Sequence, residues 1–429
     1  MKSSRYNYFI NNGENTIVFN GITEKFFEIK SENADIYKQL IKNPDSYGDE
    51  VSFFLNKLNR DGFVLDNDRD EKDIAEKKLT GQLAENLCHL MVMPTYQCNL
   101  RCWYCVQDHQ DLWMTEEIVD RVKRRIDLKM SDPSIEGLHL SWFGGEPLMA
   151  YDIIVGLTRY AREAAVSRNK SFSCVITTNG TLLNAERILE LKECGVSSYQ
   201  ITIDGKRSYH NSVKVMPNED SFAITMKNID LIARHTRCSL RFNYTSENLS
   251  PEEIIQDVDS FISDDNKGNI SFLLYKVWQE NEDTINSGDV ISLFNRSIET
   301  GIRPELPRPG ICYSDQTHYD CIFPDGKVEK CDNESPSAAR GVLKETGEIE
   351  WPGGAPLSHM TAFRQKDSEC SECIYLPLCG GPCVAKRKNM LDRHGHVVCQ
   401  YDNKRRQMEG MIKNIVRNNY AAGRLKVNF

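Results

Sequence analysis

Three thiols fall within eight residues, at Cys98, Cys102 and Cys105, just after a short apolar run from Leu90 to Met93. Thiolates are soft ligands suited to iron-sulfur clusters or zinc. A structural zinc site takes four protein ligands, and the next cysteine, Cys174, lies far along the chain in a strand-like segment. One metal position is therefore left open. A four-iron four-sulfur cluster held by three cysteines has a fourth iron free to bind a substrate or cofactor, which is an arrangement for chemistry. Thiols that only pack behave as small hydrophobes and need no fixed spacing, whereas these three share one short polar loop.

Eight more thiols lie between 312 and 399: Cys312, Cys321, Cys331, Cys370, Cys373, Cys379, Cys383 and Cys399. They suffice for two four-ligand sites. The stretch from Cys321 to Cys331 reads as a hairpin turning at Asp325-Gly326, with a thiol at each end. Zinc ribbons use similar knuckles, so the local chemistry leaves zinc open. Cys88, Cys174, Cys194 and Cys238 are scattered singly and read as core residues. A secreted disulfide framework fits small domains with a signal peptide, and Met1 to Phe9 has no apolar signal core, so reduced thiols acting as ligands fit better.

The 429 residues leave room for about three domains at roughly 150 residues each. A net charge of −9 with no long basic block supports neither nucleic acid nor an anionic membrane surface as partner. No run of about 18 apolar residues occurs, so a cytoplasmic protein that does not enter the membrane is expected.

The elements that position the thiols read as follows. Tyr6–Ile10, Thr16–Asn20 and Lys25–Ile29 are short strands separated by Asn-Gly turn signals. Ala34–Ile41 and Glu50–Leu58 have helical spacing, and Phe63–Leu65 is a candidate wing strand. Residues 1–75 thus look like a small winged helix-turn-helix module, with the polar stretch Asp66–Glu85 as linker or exposed helix and 76–87 as the connection. From 88 to 305 strands and helices alternate, which argues for parallel βα units. The strands are His89–Thr95, Gly137–Phe143, Ser173–Thr178, Ser198–Ile203, Ser239–Tyr244 and Ile270–Val277. Thr115 and Asn184 cap intervening helices, the first carrying Ile118, Val122 and Ile126 on one face. Six repeats are too few for an eight-fold barrel. Ligand sites in such sheets lie at the carboxyl ends of the strands, and the motifs fall there: Gly144-Gly145-Glu146, Thr177-Thr178-Asn179-Gly180-Thr181, Asp204-Gly205, and Arg241 with Asn243. The paired glycines let backbone approach a ligand closely.

The CxxxCxxC spacing with Tyr104 before the third cysteine resembles the signature of the radical S-adenosylmethionine (radical SAM) enzymes. The resemblance implies an α/β fold, a partial (β/α)6 TIM-like barrel. It implies that the open iron chelates S-adenosyl-L-methionine, whose reductive cleavage gives a 5′-deoxyadenosyl radical. Gly144, Gly145 and Glu146 resemble the motif that holds the methionyl amino group. Thr177, Asn179 and Asp204 would approach the ribose and methionine ends, and Arg241 would pair the cofactor carboxylate. After Asp204-Gly205 relatives often carry His-Asp and an arginine, whereas this chain has His210-Asn211 and Lys214, and lysine is no bidentate equivalent.

The C-terminal region, 306–429, resembles the SPASM domain of peptide- and protein-modifying radical SAM enzymes, with two auxiliary four-iron four-sulfur clusters. By that resemblance Cys312, Cys321, Cys331 and Cys383 hold one and Cys370, Cys373, Cys379 and Cys399 the other, making three clusters in all. Asp332 follows a cluster ligand, and in sulfatase-maturing relatives an aspartate there takes the substrate proton, although a solvated turn acid is an equal reading. The implied function is a maturase that abstracts hydrogen from a ribosomally made precursor peptide with a leader sequence, the leader binding the 1–75 module. A thioether, ether or carbon-carbon cross-link would follow, with a flavodoxin or ferredoxin as electron donor. The rivals are an anaerobic sulfatase maturase generating formylglycine, and a non-catalytic iron-sulfur or zinc-binding module.

Overall fold

The computed structural model describes residues 1–48, 51–84, 86–281, 284–354 and 369–423. The expected helix start at Glu50 and the linker end at Glu85 lie outside them, as do parts of the expected C-terminal domain (355–368 and 424–429). The chain forms two compact units. One comprises 1–85, 308–317 and 357–416, and the other 86–307, 318–356 and 417–429. Among the described residues no helix is long and apolar enough to cross a membrane.

The first unit contains β1 (Lys2–Ser3), β2 (Asn7–Asn12), β3 (Asn15–Asn20), β4 (Phe26–Lys30) and β5 (Val64–Leu65), of which β2, β3 and β4 form an antiparallel sheet with β3 central. Helices α1 (Ala34–Lys42) and α2 (Ser52–Arg60) close over it through Leu40, Ile41, Leu55 and Leu58, packed with Val18 and Phe63. The expected wing differs. β5 pairs with β1 rather than with the three-stranded sheet, because the Asn20 amide takes the Gly62 carbonyl at 2.8 Å and the Ser4 N–H takes that of Phe63 at 3.0 Å, turning the strand toward the N-terminus. The stretch expected as a linker or exposed helix is a helix, α3 (Glu71–Leu83), but a packed one. Asp70 caps it, accepting from the N–H groups of Lys72 and Asp73, and Ala75, Leu79 and Leu83 are buried at four-residue spacing. Its polar composition hid an apolar stripe only one residue wide.

In the second unit β6 (Leu87–Val92), β7 (Gly137–Trp142), β8 (Ser171–Thr178), β9 (Ser198–Ile203), β10 (Arg237–Tyr244) and β11 (Ile270–Lys276) are parallel neighbours in chain order. Helices α4 (Glu116–Ser131), α5 (Tyr151–Val166), α6 (Ala185–Cys194), α7 (Arg207–Val213), α8 (Ser221–Ala233), α9 (Pro251–Asp259) and α10 (Ser287–Glu299) alternate with them. Thr115 and Asn184 cap α4 and α6 as expected, accepting from the N–H groups of Ile118 and Arg187. Strand alternation sends Leu90, Leu140, Ile176, Ile201, Leu240 and Phe272 into a core with Val122 and Ile126, where each fully buried aliphatic side chain contributes about 2 kcal/mol. Cys88, Cys174, Cys194 and Cys238 belong to that core. The opposite face is polar, with His89 bonded to Ser141 at 2.8 Å and His139 to Ser173 at 2.7 Å.

The sheet does not stop at six strands. β12 (Arg303–Glu305) adds beyond β11, while β13 (Tyr319–Ile322) lies parallel beside β6 and continues into β14 (Lys327–Glu329), β15 (Gly341–Leu343) and β16 (Ile349–Glu350). The expected hairpin is present between β13 and β14, its turn closed by the Gly326 N–H to the Phe323 carbonyl at 3.0 Å. The region 306–429 therefore does not stand apart as one block. β6 offers unpaired backbone groups that β13 satisfies, His89 N–H to the His318 carbonyl and Met93 N–H to that of Ile322, both at 2.9 Å. Arg125 of α4 locks the addition by pairing with buried Asp320 at 2.7 Å.

Candidate functional site

The loop bearing Cys98, Cys102 and Cys105 leaves the carboxyl end of β6 and is clamped to the ends of the next strands. After β7 the backbone of Gly145 donates to the Thr95 carbonyl at 3.2 Å, and that of Glu146 to the Gln97 carbonyl at 2.8 Å. A side chain on Gly144 would place its Cβ 2.4 Å from the Thr95 oxygen, and on Gly145 2.1 Å from the Gln97 oxygen. The glycine pair thus clears space for the backbone of the cysteine loop, which any Cβ would push away.

Glu146 follows the glycines and is buried. Its carboxyl group accepts from Leu148 N–H (3.0 Å), the Thr178 hydroxyl (2.7 Å) and Asn179 N–H (2.8 Å), tying the ends of β7 and β8 together. Burial nevertheless pushes its pKa up to about 7, outweighing these three donors. Asn179 passes the tie on to the cysteine loop: its amide donates to Asn99 at 2.8 Å and approaches the Cys98 sulfur at 3.9 Å. Asn99 in turn donates to the Thr181 hydroxyl at 3.0 Å. Thr177 is one step out of phase with buried Thr178 and so lies on the sheet face away from the helices.

Tyr104 is pinned from a third side. Its hydroxyl donates to Asp204 Oδ1 at 2.6 Å and accepts from Asn243 at 3.3 Å, while the Asp204 Oδ2 forms an ion pair with Lys214. Both charged side chains are only 1% exposed. Burial, and then the Asp204 charge, raise the Tyr104 phenol so that it stays a donor. Asp204 was expected to face a ribose, yet both of its oxygens are engaged within the protein. Lys214, the departure from the arginine of relatives, is what neutralises it. Arg241 and Asn243 share a face as expected, the Arg241 Nε donating to the Asn243 amide oxygen at 3.1 Å. The Arg241 guanidinium lies over the Tyr275 ring at 4.9 Å and has no carboxylate in ion-pair reach among the described residues, which leaves it suited to an incoming anion.

The sequence reading did not single out Gln97, Asn99 or Gln279, whose amide donates to the Tyr104 carbonyl at 2.9 Å. Nothing in their types marks them, since their role depends on which strand end folds beside them. Burial pushes the Cys98 thiol up to about 12 and also raises Cys102 and Cys105. Thiols so placed ionise when a cation neutralises them, which is what iron ligation supplies. A rigid loop with three sulfurs and weak hydrogen-bond partners fits a three-thiolate cluster. Among the described residues no three His, Cys, Asp or Glu side chains gather as a single ion would need them.

In the first unit Cys370, Cys373, Cys379 and Cys399 line one pocket with Gln400 and Tyr401. Burial pushes Cys370 up to about 12, followed by the charges of Cys379, Cys373 and Cys399, so the four sulfurs sense one another. Cys379 ends the short helix Leu376–Cys379, and Gly380, in the left-handed region at φ 71°, turns the chain away. The N-terminal sheet supports this pocket. Tyr8 of β2 stacks on Tyr375 with ring centroids 5.0 Å apart and donates to the Ile374 carbonyl at 2.6 Å, while Arg5 and Lys72 pair with Glu372. The remaining thiols form two pairs, each inside its own unit. Cys312 is raised by burial and also by Cys383, the two segments being joined by the buried Arg387–Asp315 ion pair at 2.6 Å. Cys321 is raised by burial and next by the charges of Asp332 and Cys331. Asp332 itself lies in the turn from Cys331 to Glu334.

Residues 92–258 match the radical SAM superfamily. The Fe-coproporphyrin III synthase of Methanosarcina barkeri is 30% identical over 167 residues, 38% of this chain and 39% of that protein. The GTP 3′,8-cyclase of Campylobacter jejuni is 28% identical over 186 residues, 41% of this chain and 53% of that protein. The chain thus spans only about two fifths to half of these relatives. Among solved structures, native anSMEcpe with bound AdoMet has a TM-score of 0.57 at 17% identity, covering 79% of this chain and 100% of that one. Streptococcus suis SuiB bound to S-adenosylmethionine has a TM-score of 0.52 at 18% identity, covering 94% of this chain and 100% of that one. At such identities the likeness concerns the fold.

Proposed function

We propose that this chain, an enzyme carrying a radical SAM superfamily domain, is a peptide maturase that oxidatively cross-links a ribosomally made precursor. The observation that carries the reading is the pairing, within one unit, of a four-thiol pocket with a small sheet-and-helix module whose Tyr8 packs on it. The likeness to the synthase and to the cyclase covers only 38% and 41% of this chain. Support also comes from SuiB, solved with its precursor peptide SuiA, whose likeness covers 94% of this chain.

In this reading Cys98, Cys102 and Cys105 hold a four-iron cluster and Cys370, Cys373, Cys379 and Cys399 an auxiliary one. A cluster held by Cys98, Cys102 and Cys105 would supply the electron for reductive cleavage of S-adenosylmethionine. The protein's own residues bind and orient. Arg241 offers its guanidinium to the cofactor carboxylate, Thr177 and Asn179 border the same strand ends, and the Asp204–Lys214 pair holds Tyr104 against the cysteine loop. Asp332, beside Cys331, takes the proton released as the new bond closes. β2 and β4, the edges of the three-stranded sheet, offer backbone groups to which an extended leader adds as a strand.

The test is mass spectrometry of a small precursor peptide co-expressed with the enzyme under anaerobic conditions. A loss of two hydrogens placed by fragmentation is expected, with Asp332→Asn still cleaving S-adenosylmethionine but yielding little product. A second reading, a sulfatase maturase, has the anSMEcpe likeness in its favour. Conversion of a sulfatase cysteine or serine to formylglycine, with the precursor left unchanged, would establish it instead.

A further inference from the structure

We propose that the basic face formed by helix Val384–His394 and the first turn of helix Lys404–Ala421 is the docking surface for a small acidic one-electron carrier. The carrier would exchange electrons with the cluster of Cys370, Cys373, Cys379 and Cys399, so the proposal rests on the reading of those thiols as iron ligands. Between Val384 and Arg406, leaving out the buried and paired Arg387, six Lys and Arg stand against two Asp, in a chain of net charge −9. Lys386, Arg393, Arg405 and Arg406 are exposed. Lys386 and Arg393, seven residues apart, share one helix face.

The patch touches the thiol pocket directly. The Lys386 ammonium donates to the Gln400 side-chain oxygen at 3.1 Å, and the Gln400 amide reaches the Cys379 sulfur at 3.6 Å. Lys404 lines the pocket itself. Arg405, 80% exposed, pairs with Glu409 at 2.8 Å, and such an exposed pair yields readily to a partner's carboxylates. One side chain therefore separates a surface cation from a cluster sulfur. Glu369, Asp402 and Glu409 are the acids described beside the pocket and the second helix, and with Asp392 of the sequence they number four against the six cations. In a chain of net charge −9, a local excess of cations steers an acidic carrier toward this face.

The electron balance calls for such a partner. Each S-adenosylmethionine cleavage consumes one electron, and each substrate radical that closes a bond releases one electron with a proton. A carrier shuttling between two one-electron states accepts the second and supplies the first, with no other oxidant. An acidic peptide would satisfy the charge but has no need to sit at the thiol pocket.

The test titrates the iron-loaded enzyme with a purified acidic flavodoxin at about 50 mM and about 300 mM salt. Wild type should bind more weakly at high salt. Charge reversal by Lys386→Glu, Arg393→Glu, Arg405→Glu and Arg406→Glu should weaken binding at least about tenfold, while iron content and dithionite-driven S-adenosylmethionine cleavage stay unchanged. Equal flavodoxin affinity for a reversed, fully iron-loaded enzyme would overturn the proposal, as would salt-dependent binding of an acidic peptide there without flavodoxin. If the fourfold variant loses iron, Lys386→Gln with Arg405→Gln serves, and the same criteria apply at a threefold effect. Undiminished iron in a Cys370→Ala, Cys373→Ala variant would instead refute the reading of the thiols, and the docking proposal with it.

Discussion

The Cys98–Cys105 loop and the Cys370–Cys399 pocket offer the same soft ligands on opposite kinds of support. The first is held by backbone: carbonyls of Thr95 and Gln97 lie where Cβ atoms of Gly144 and Gly145 would be, and a buried ion pair pins Tyr104. The second is held by side chains of a distant segment, with Tyr8 stacked on Tyr375 and an exposed cationic face alongside. A three-thiol site that leaves a position open gains from a frame that cannot shift, because the missing ligand adds no restraint. A four-thiol site that took up a cluster would be restrained by its own ligation, so looser packing would suffice there and leave its surroundings free to meet partners.

Gly145→Ala should break the first support outright. The added carbon meets backbone 2.1 Å away, so the loop must move, and we expect loss of about four irons and of all S-adenosylmethionine cleavage, read by iron assay and product chromatography. Tyr8→Ala attacks the second support. Removing a buried aromatic costs about 3–5 kcal/mol, and iron in the C-terminal pocket should fall while S-adenosylmethionine cleavage continues. Deleting residues 1–75 should have the same effect, since it strips one wall from the segment bearing Cys373 and Cys379. Retention of all iron in Tyr8→Ala would erase the proposed contrast.

Asp204→Asn leaves buried Lys214 without a counter-charge, a loss of about 3–5 kcal/mol. Adding Lys214→Met should recover part of the thermal stability. A positioning role for the pair predicts weaker S-adenosylmethionine binding and an altered electron paramagnetic resonance spectrum of the reduced cluster in both variants. An unchanged spectrum would reduce the pair to a core contact.

Glu146 sharpens the comparison through pH. Because burial raises its pKa from the ordinary 4.5 to about 7, the folded chain keeps a proton that the unfolded chain has released. The stability this contributes is full below about pH 4.5 and lost as pH rises through about 7, up to about 3 kcal/mol. Glu146→Gln should flatten that decline in denaturant melts relative to wild type. The smallest effect is expected from Gly410→Ala in helix Lys404–Ala421, where the new carbon meets nothing within 4 Å. It should stabilise by at most about 1 kcal/mol.

The spacing of Cys98, Cys102 and Cys105, the six parallel strands, the caps Thr115 and Asn184 and the Asp325-Gly326 turn were legible because each is a local pattern of period, cap or turn chemistry. The packing of helix α3 was not, as its stripe of Ala75, Leu79 and Leu83 is diluted by charge. The pairing of β13 with β6 was not either, since an edge strand advertises a vacancy but not which segment fills it.

The amino-acid order by itself determined the spacing of the thiols in both groups and the alternation that builds the sheet. Only the tertiary structure decided that the glycine pair serves the loop backbone, that Asp204 spends both oxygens on Tyr104 and Lys214, and that Tyr8 braces a pocket more than 360 positions away. The physical reason is range. Dihedral preference and ligand spacing act over a few residues and are written in consecutive letters, whereas burial, which sets the partner and proton affinity of a charged group, depends on every segment that comes to surround it.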